Sequence, residues 1–500
     1  MKRLYLFLTF VLFILLMITT DNYSSQVDTS KYLKERVVEK RLKNGITLLM
    51  MDRGFSSTLA FHISFRVGSA DESYNTSGAA HILEHMLFKG TSTLGTKDYN
   101  KEKPILERVE AIGETIDRLR LANPNNSEIK KLEAELRALE EKQDELIISS
   151  PYDMLYTANG GVGFNASTSK DMTGYYIQLP SDRIELWAKI ESDRLKNPVF
   201  REYYRERDNI IEERLMRYQS SGDGFLYETF FATAFSAHPY RHPTIGWESN
   251  IKYMSINDIY RFYNTYYIPS RMTITIVGKQ NTEETYNTIK KYFEDIESKP
   301  EPGEIKIIEP EQRGEKRVDV YFKSKPSIII GWKKPVAPSK DDYAFDIISS
   351  ALGSGKSSRL YKSLVIDKKM ASSVYTWSSA PGSRYDNLFI IYAAPVDGVS
   401  FENLEKEIYS EMEKFRKEID QSEIDRVINL SESSYIFSLD SNSGIAWQLS
   451  YYQTVFKDWR YMVNYLDNLK LISVDDIRTV YDKYIRDNNK TVAALHDERG

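Results

Sequence analysis

The residues best suited to chemistry in this 500-residue chain are two histidines four positions apart, His81 and His85, with Glu84 between them. On a helix, residues i and i+4 share a face, so both imidazoles can bind one metal ion. The chain has no cysteine, which leaves histidine, aspartate and glutamate as ligands. A catalytic zinc ion needs three protein ligands and an open position for water, so the third ligand should be a carboxylate or another histidine. Glu84 is then placed to act as the general base toward that water.

The pattern before these residues predicts a sheet followed by a helix. An Asn-Gly pair between two short strand-like runs indicates a β-hairpin. Apolar and polar residues then alternate from Leu59 to Val67, which predicts a half-buried strand with His62 on its polar face. Thr76 and Ser77 are residues that commonly begin helices, and the segment that follows them, Gly78 to Phe88, has apolar residues at helical spacing and carries both histidines.

Residues 102–147 have a different sequence pattern: apolar residues recur at heptad-like spacing on both sides of Pro124. A proline would break a single long helix, so the pattern predicts two helices that fold back as a projecting hairpin. The pattern leaves its role open between a solvated arm without chemistry and a docking or gating element. An insertion after Lys97 can lengthen the chain between His85 and the later motifs without moving them.

Two related halves are predicted on either side of a charged linker rich in proline and glycine, residues 300–316. The first domain would span residues 35–299 and the second residues 317–500. The segment from Met254 to Gly278 aligns without a gap on the segment from Ile472 to His496. Each copy reads as a capped helix followed by a β-branched strand, so a duplicated α+β unit is the economical explanation.

Composition and charge exclude several classes of function. The 67 basic and 72 acidic residues give a net charge of -5, without the basic excess that nucleic acid attracts. With 41% hydrophobic and 28% charged residues, the chain is a folded globular protein. Lys2 and Arg3 precede an apolar run, which predicts a signal peptide or N-terminal anchor at residues 1–22 and therefore a periplasmic or secreted protein. The sequence does not decide whether this segment is cleaved.

Three segments resemble the pitrilysin/insulinase-type zinc peptidases, which include the mitochondrial processing peptidase. The segment from Gly78 to Thr91 holds the inverted zinc signature His-x-x-Glu-His. Residues 165–168 and 206–213 resemble the family's substrate strand and its glutamate helix. The resemblance implies one zinc ion per chain. The residues that it assigns are the ligands His81, His85 and Glu213, the general base Glu84, the outer histidine partner Glu206 and the substrate-binding residues Asn165 and Ala166.

Glu212 is the rival of Glu213 for the third ligand position. The family alignment favours Glu213, seven residues after Glu206. Seven residues are two helical turns, so Glu206 and Glu213 share a face, whereas Glu212 points about 100° away. Of the other histidines, His62 is a weak candidate for the pocket, and His238 and His242 are predicted to be bystanders.

The resemblance also implies an α+β fold, in which two related α/β-layered domains form half of a clamshell with the helical hairpin inserted. Many members hold substrate with an arginine and a tyrosine seven residues apart, but Val365 and Ser372 stand at those positions here. We therefore expect a heterodimer with a second two-domain subunit that carries the Arg/Tyr pair, rather than a homodimer. If that segment is misaligned, Arg359, Tyr361 or Tyr375 could substitute.

Together these observations predict an exported zinc-dependent endopeptidase that cleaves extended peptides or unfolded proteins with metal-activated water. The alternative is a non-catalytic peptide-binding or scaffold subunit of a larger peptidase-like complex. The complete set of signature residues favours the enzyme, because degenerate zinc motifs mark the non-catalytic members of this family.

Overall fold

The computed structural model describes residues 29–498 of the chain. The predicted signal peptide or anchor at residues 1–22 lies outside the described residues. Between residues 29 and 498, no helix combines the length and the apolar character that a membrane crossing requires.

The first half of the chain builds a six-stranded sheet in the order β1-β2-β6-β3-β5-β4. Its strands are β1 (Val37–Arg41), β2 (Thr47–Asp52), β3 (Thr58–Phe65), β4 (Val162–Thr168), β5 (Thr173–Pro180) and β6 (Met272–Gly278). Its helices are α1 (Thr29–Arg36), α2 (Ala79–Met86), α3 (Tyr99–Ala122), α4 (Ser127–Asp144), α5 (Pro151–Ala158), α6 (Ile184–Lys196), α7 (Tyr203–Arg214), α8 (Gly222–Ala234), α9 (Glu248–Tyr253), α10 (Ile256–Tyr266) and α11 (Thr282–Phe293). The predicted hairpin at the Asn-Gly turn is present as the antiparallel pair β1 and β2.

The second half builds a five-stranded sheet in the order β7-β11-β8-β10-β9. Its strands are β7 (Lys316–Phe322), β8 (Ser327–Lys334), β9 (Ala371–Ala380), β10 (Asn387–Pro395) and β11 (Lys490–Asp497). Its helices are α12 (Lys340–Gly353), α13 (Phe401–Glu418), α14 (Gln421–Ser438), α15 (Asn442–Phe456), α16 (Arg460–Leu469) and α17 (Val474–Tyr484). Between the halves, residues 297–313 contain neither helix nor strand. The domain boundaries at 299/300 and 316/317 stay predictions.

The two sheets share one topology. In each, the strand that comes last along the chain, β6 or β11, lies parallel to one neighbour and antiparallel to the other. In each, two further strands extend the sheet in antiparallel fashion to a free edge, β4 or β9, and in the first sheet β1 adds a strand at the opposite edge. The helices before β6 and β11 begin with matching capping boxes, Ser255 with Asp258 and Ser473 with Asp476. The internal sequence similarity therefore has a structural counterpart, as expected for a duplicated unit.

Each sheet is covered on one face by a helix from the other half. Helix α8 packs Leu226 and Phe230 against the second sheet, and α15 packs Ile445 and Leu449 against the first. As a result β3 is buried on both faces, and the prediction of a half-buried strand was wrong. The polar face of this strand, which includes His62, is covered by a helix that begins almost 400 residues later in the chain.

The predicted helical hairpin is present as α3 and α4, joined by a short turn that contains Pro124. A small apolar core holds the two helices together and includes Ile112, Ile116 and Ile129. The predicted fold class is confirmed: an α+β chain of two related sheet-and-helix halves with an inserted helical hairpin.

Candidate metal centre and active site

Helix α2, which packs on the first sheet, carries His81, Glu84 and His85. Its apolar side, with Ile82, Leu83 and Met86, is buried in the core of the first half. The helix expected within Gly78–Phe88 is present, but neither Thr76 nor Ser77 caps it: the helix follows Gly78, which has a positive φ of 102° and no capping side chain. Instead, the backbone N–H groups of Gly78 and Ala80 donate to the carboxylate of Glu72, at 2.8 and 2.9 Å. Glu72 thus satisfies amides that the helix start would otherwise leave without acceptors.

Three possible ligand atoms converge beside this helix. The Nε2 atoms of His81 and His85 both lie 3.8 Å from Oε2 of Glu213. That distance is too long for a hydrogen bond, so the three side chains face one another without bonding. Ligands about 2.1 Å from a tetrahedral zinc ion are about 3.4 Å apart, so small adjustments would bring all three to an ion. The arrangement fits a zinc ion, and the donor set suits this metal.

Outer partners orient His85. Its Nδ1 lies 2.8 Å from Oε1 of Glu206, whose other oxygen lies 2.7 Å from Nζ of Lys89. If Nδ1 carries the proton, Nε2 keeps its lone pair for a metal. Burial alone would raise the pKa of Glu206, but the hydrogen bonds from His85 and Lys89 lower it to about 2. Burial together with the neighbouring His85 lowers the pKa of His81 to about 3, so its imidazole is neutral at pH 7.

Glu84 is held by a strand distant in sequence. Oγ1 of Thr168, at the end of β4, donates a hydrogen bond of 2.5 Å to Oε2 of Glu84. Burial raises the pKa of Glu84 above its ordinary value, despite this hydrogen bond. A carboxyl group with a raised pKa accepts a proton more readily, which suits a general base that must later return the proton.

Helix α7 supplies Glu213 to the cluster and turns Glu212 toward solvent. This orientation agrees with the predicted choice between the two carboxylates. A single turn of π-helix, Leu215–Gln219, follows α7 directly. It brings Nη2 of Arg217 within 2.9 Å of Oε1 of Glu213, so the carboxylate has one oxygen on an arginine and the other toward the histidines.

The predicted substrate residues lie on β4, a free edge of the first sheet. Asn165 is exposed and Ala166 is buried. The N–H of Ala166 donates to Oδ1 of Asn165 at 2.8 Å. The strand runs beside α2, because the rings of Phe88 and Phe164 lie 5.1 Å apart. An unpaired edge therefore passes close to the candidate metal centre.

A cavity of about 540 Å³ opens between the metal centre and the base of the helical hairpin. Glu84 and His85 line one side of it, and residues 147–153 line another. Phe88 and Phe164 contribute apolar wall. The cavity is large enough for a bulky side chain of a bound peptide.

The other histidines lie away from the cluster. His62 faces α15, across the sheet from α2, and burial lowers its pKa to about 4. It is not a pocket residue, because the strand points it to the opposite face. His238 caps a short turn by accepting from the N–H of Tyr240, and His242 accepts from the indole N–H of Trp247.

The positions expected for an Arg/Tyr pair hold no substrate-binding groups. Val365 packs against the core of the second half, and Oγ of Ser372 donates to a backbone carbonyl. Of the three substitutes, Arg359 is engaged by Glu423 and Tyr361 packs on the same core. Tyr375 lies half-exposed on the edge strand β9.

Comparison with known sequences matches both halves to one group of proteins. Residues 50–118 match the profile described as insulinase, peptidase family M16, and residues 253–431 match that of the peptidase M16 inactive domain. Both profiles describe peptidase family M16, so the chain is similar to this family in both halves. Zinc protease PqqE of Helicobacter pylori is 27% identical over 462 residues, which cover 91% of each chain. The probable β subunit of the mitochondrial-processing peptidase of Arabidopsis thaliana is 24% identical over 469 residues, 91% of this chain and 77% of that protein.

Solved structures of the family share this fold. A protease from Helicobacter pylori superposes with a TM-score of 0.77 and 26% identity, over 92% of this chain and 99% of its own. The periplasmic protease PqqL of Escherichia coli gives a TM-score of 0.68 at 14% identity, over 93% of this chain and 48% of its own. This chain thus has the two-domain M16 architecture, with the inverted zinc signature in its first half, and the profile named inactive matches from the end of the first half into the second.

Several residues of the site were not assigned a role by sequence reasoning: Glu72, Lys89, Thr168 and Arg217. Arg217 is four residues after Glu213, a spacing that sequence reasoning could have used. Lys89 is likewise four residues after His85. Thr168 reaches Glu84 across 84 positions of the chain and Glu72 reaches Gly78 across six, and nothing in their local sequence signals either contact.

Proposed function

We propose that this chain is a zinc metallopeptidase that hydrolyses peptide bonds in extended substrates. The observation that carries the proposal is the convergence of His81, His85 and Glu213, with Glu84 on the same helix held by Thr168. Zinc, when bound, acidifies a water molecule and polarises the scissile carbonyl. His81, His85 and Glu213 would hold the ion.

Glu84 carries the proton transfers in this proposal. Its carboxylate takes a proton from the attacking water and then delivers it to the nitrogen of the leaving amine. The hydrogen bond from Thr168 fixes the orientation of the carboxyl group between the two transfers. Glu206 keeps the imidazole of His85 in the tautomer that leaves Nε2 free.

The free edge of β4 is the proposed binding site for the peptide. An extended peptide can add to such an edge by main-chain hydrogen bonds, so recognition depends on backbone more than on sequence. Asn165 and Ala166 would face that added strand, and the adjoining cavity would take one bulky side chain.

We further propose that the protein is exported and that a second two-domain subunit completes the substrate site. Export rests on residues 1–22, and the partner rests on Val365 and Ser372 at the positions of the Arg/Tyr pair. The N-terminal residue of the purified protein, determined by mass spectrometry, tests cleavage of the signal.

In the deciding experiment, the purified chain alone is incubated with a mixed pool of unstructured peptides, in the presence and in the absence of a chelator. Glu84→Gln is the matched variant: it preserves an oxygen for Thr168 but removes the base. We expect one zinc per chain in both proteins, with cleavage by the wild type only. Turnover retained by Glu84→Gln would refute the assigned base. A zinc-bound chain that cuts nothing would indicate that the partner is required, whereas a chain without zinc would favour the scaffold alternative.

A further inference from the structure

The helical hairpin α3–α4 does not project freely, because its side packs against α7, the helix that supplies Glu206 and Glu213. Two buried ion pairs join the hairpin to this region. Glu102 and Asp117 are the hairpin's acidic partners, and Arg201 and Arg207 are the basic ones. Exposed ion pairs contribute little, whereas a buried charge is tolerated only with its partner in place.

The first pair forms a junction between the two helices that carry the metal ligands. Arg201, 1% exposed, lies two residues before α7, and its Nε donates to Oε1 of Glu102 at 2.7 Å. The same guanidinium donates to the backbone oxygens of Lys89 and Thr91, at 3.2 and 2.6 Å, just after α2. One side chain thus ties the end of the histidine segment to the start of the glutamate helix. The hairpin supplies its counter-charge from Glu102, which is fully buried.

The second pair holds the middle of α7. Arg207 donates to both oxygens of Asp117, at 2.5 and 3.1 Å, in the bidentate geometry that fixes a guanidinium most firmly. Arg207 directly follows Glu206, the outer partner of His85. Beside it, the ring of Tyr204 lies against Gly113, where a Cβ would come within 1.9 Å of the ring. The hairpin and α7 are therefore in close contact, with no room for a side chain between them.

We propose that the hairpin is a brace for the metal centre, with Glu102 and Asp117 as positioning residues that set the separation between α2 and α7. Three ligand atoms spread over two helices bind an ion only if that separation is kept. This inference rests on the proposed zinc site. It predicts that damage to the hairpin's buried contacts weakens metal binding in protein that remains folded.

The test compares Glu102→Gln, Asp117→Asn and Gly113→Ala with the control Glu135→Gln. Glu135 pairs with Arg108 on the exposed side of the hairpin, with 39% of its side chain exposed. Zinc affinity is measured by competition with a chromophoric chelator, well below the unfolding temperature of each protein. Loss of a direct outer partner of a metal ligand weakens binding by about 10- to 100-fold. The hairpin residues act one contact further out, so we expect the lower end of that range, about tenfold, in the three hairpin variants and less than a twofold change in the control.

A second readout separates positioning from general stability. The visible spectrum of the cobalt(II)-substituted protein reports the geometry around the ion, and we expect it to change in the hairpin variants but not in Glu135→Gln. Lower unfolding temperatures with unchanged zinc affinity and cobalt spectrum would overturn the brace. A wild-type chain that binds no zinc would instead overturn the proposed function. If one variant fails to fold, the other two still decide the question.

Discussion

Replacement of Glu213 tests the identity of the third metal ligand, because its neighbour Glu212 is a built-in control. Oε2 of Glu213 lies 3.8 Å from each histidine Nε2, whereas Glu212 faces solvent. Glu213→Gln keeps the size of the side chain and an oxygen that can still accept from Arg217. The variant should therefore fold, with a change in unfolding free energy of less than about 1 kcal/mol, since Arg217 is mostly exposed.

The expected loss of affinity follows from the share of one ligand in zinc binding. Structural zinc sites with four ligands bind with about 10–16 kcal/mol, or about 2.5–4 kcal/mol per ligand. At about 1.4 kcal/mol per factor of ten, loss of the charged ligand should weaken zinc binding by about 10²- to 10³-fold. Glu212→Gln should change it by less than twofold, because that carboxylate does not face the histidines.

The assay is equilibrium competition for zinc between each protein and a chromophoric chelator at fixed pH. Zinc content after dialysis provides an independent check. Equal affinities for wild type and Glu213→Gln would refute the assignment of the third ligand. A larger loss in Glu212→Gln than in Glu213→Gln would show that α7 is rotated relative to the structure described above.

Three further changes probe the surroundings of the site and the linker. Thr168→Val should lower kcat about tenfold or more, since a hydrogen bond to charged Glu84 is worth about 1.5–3 kcal/mol. The zinc affinity of this variant should be unchanged, and Thr168→Ser, which keeps the hydroxyl, should have the kcat of the wild type; steady-state kinetics test this. Glu206→Gln should weaken zinc binding by about 10- to 100-fold, measured by the same competition, and unchanged affinity would contradict its role toward His85. Glu309 in the linker accepts hydrogen bonds from three backbone N–H groups. Burial alone would raise its pKa, but these bonds lower it to about 2. The contribution of Glu309 to the stability of the folded protein is therefore complete above about pH 4.5 and is lost as the pH falls toward 2. Glu309→Gln should thus cost about 1.5–3 kcal/mol in urea unfolding at pH 7 and progressively less below pH 4; a difference independent of pH would refute this account.

The sequence predicted those parts of the fold whose signals are local. The Asn-Gly pair gave the first hairpin, because a three-residue loop between Leu42 and Ile46 needs a residue at positive φ, and Gly45 supplies it. The break at Pro124 gave the helical hairpin for a similar reason. The placement of His81 and His85 on one helical face needed only helical periodicity, and that of Glu213 relative to Glu212 followed from the same rule.

Features that depend on long-range packing were beyond the sequence pattern. The strand β3 alternates like a half-exposed strand, yet α15 from the other half covers its polar face. Helix α2 is capped by the carboxylate of Glu72, six residues before Gly78, and not by Thr76 or Ser77, which stand just before that glycine. A single sequence shows the donors and acceptors in such contacts but not their pairing in space.

The long interval between the metal ligands illustrates why an insertion of this size leaves the site intact. His85 and Glu213 stand 128 positions apart in sequence, and the helical hairpin takes up about a third of that interval. The hairpin leaves and rejoins the domain at adjacent points, where the N–H of Lys97 donates to the backbone oxygen of Leu146 at 2.8 Å. Because the two ends of the hairpin are joined in this way, its length does not change the distance between α2 and α7. The entropic cost of the added length grows only logarithmically. The hairpin's buried contacts with α7 then stabilise the spacing of the ligands, so the inserted segment supports the site that it interrupts in sequence.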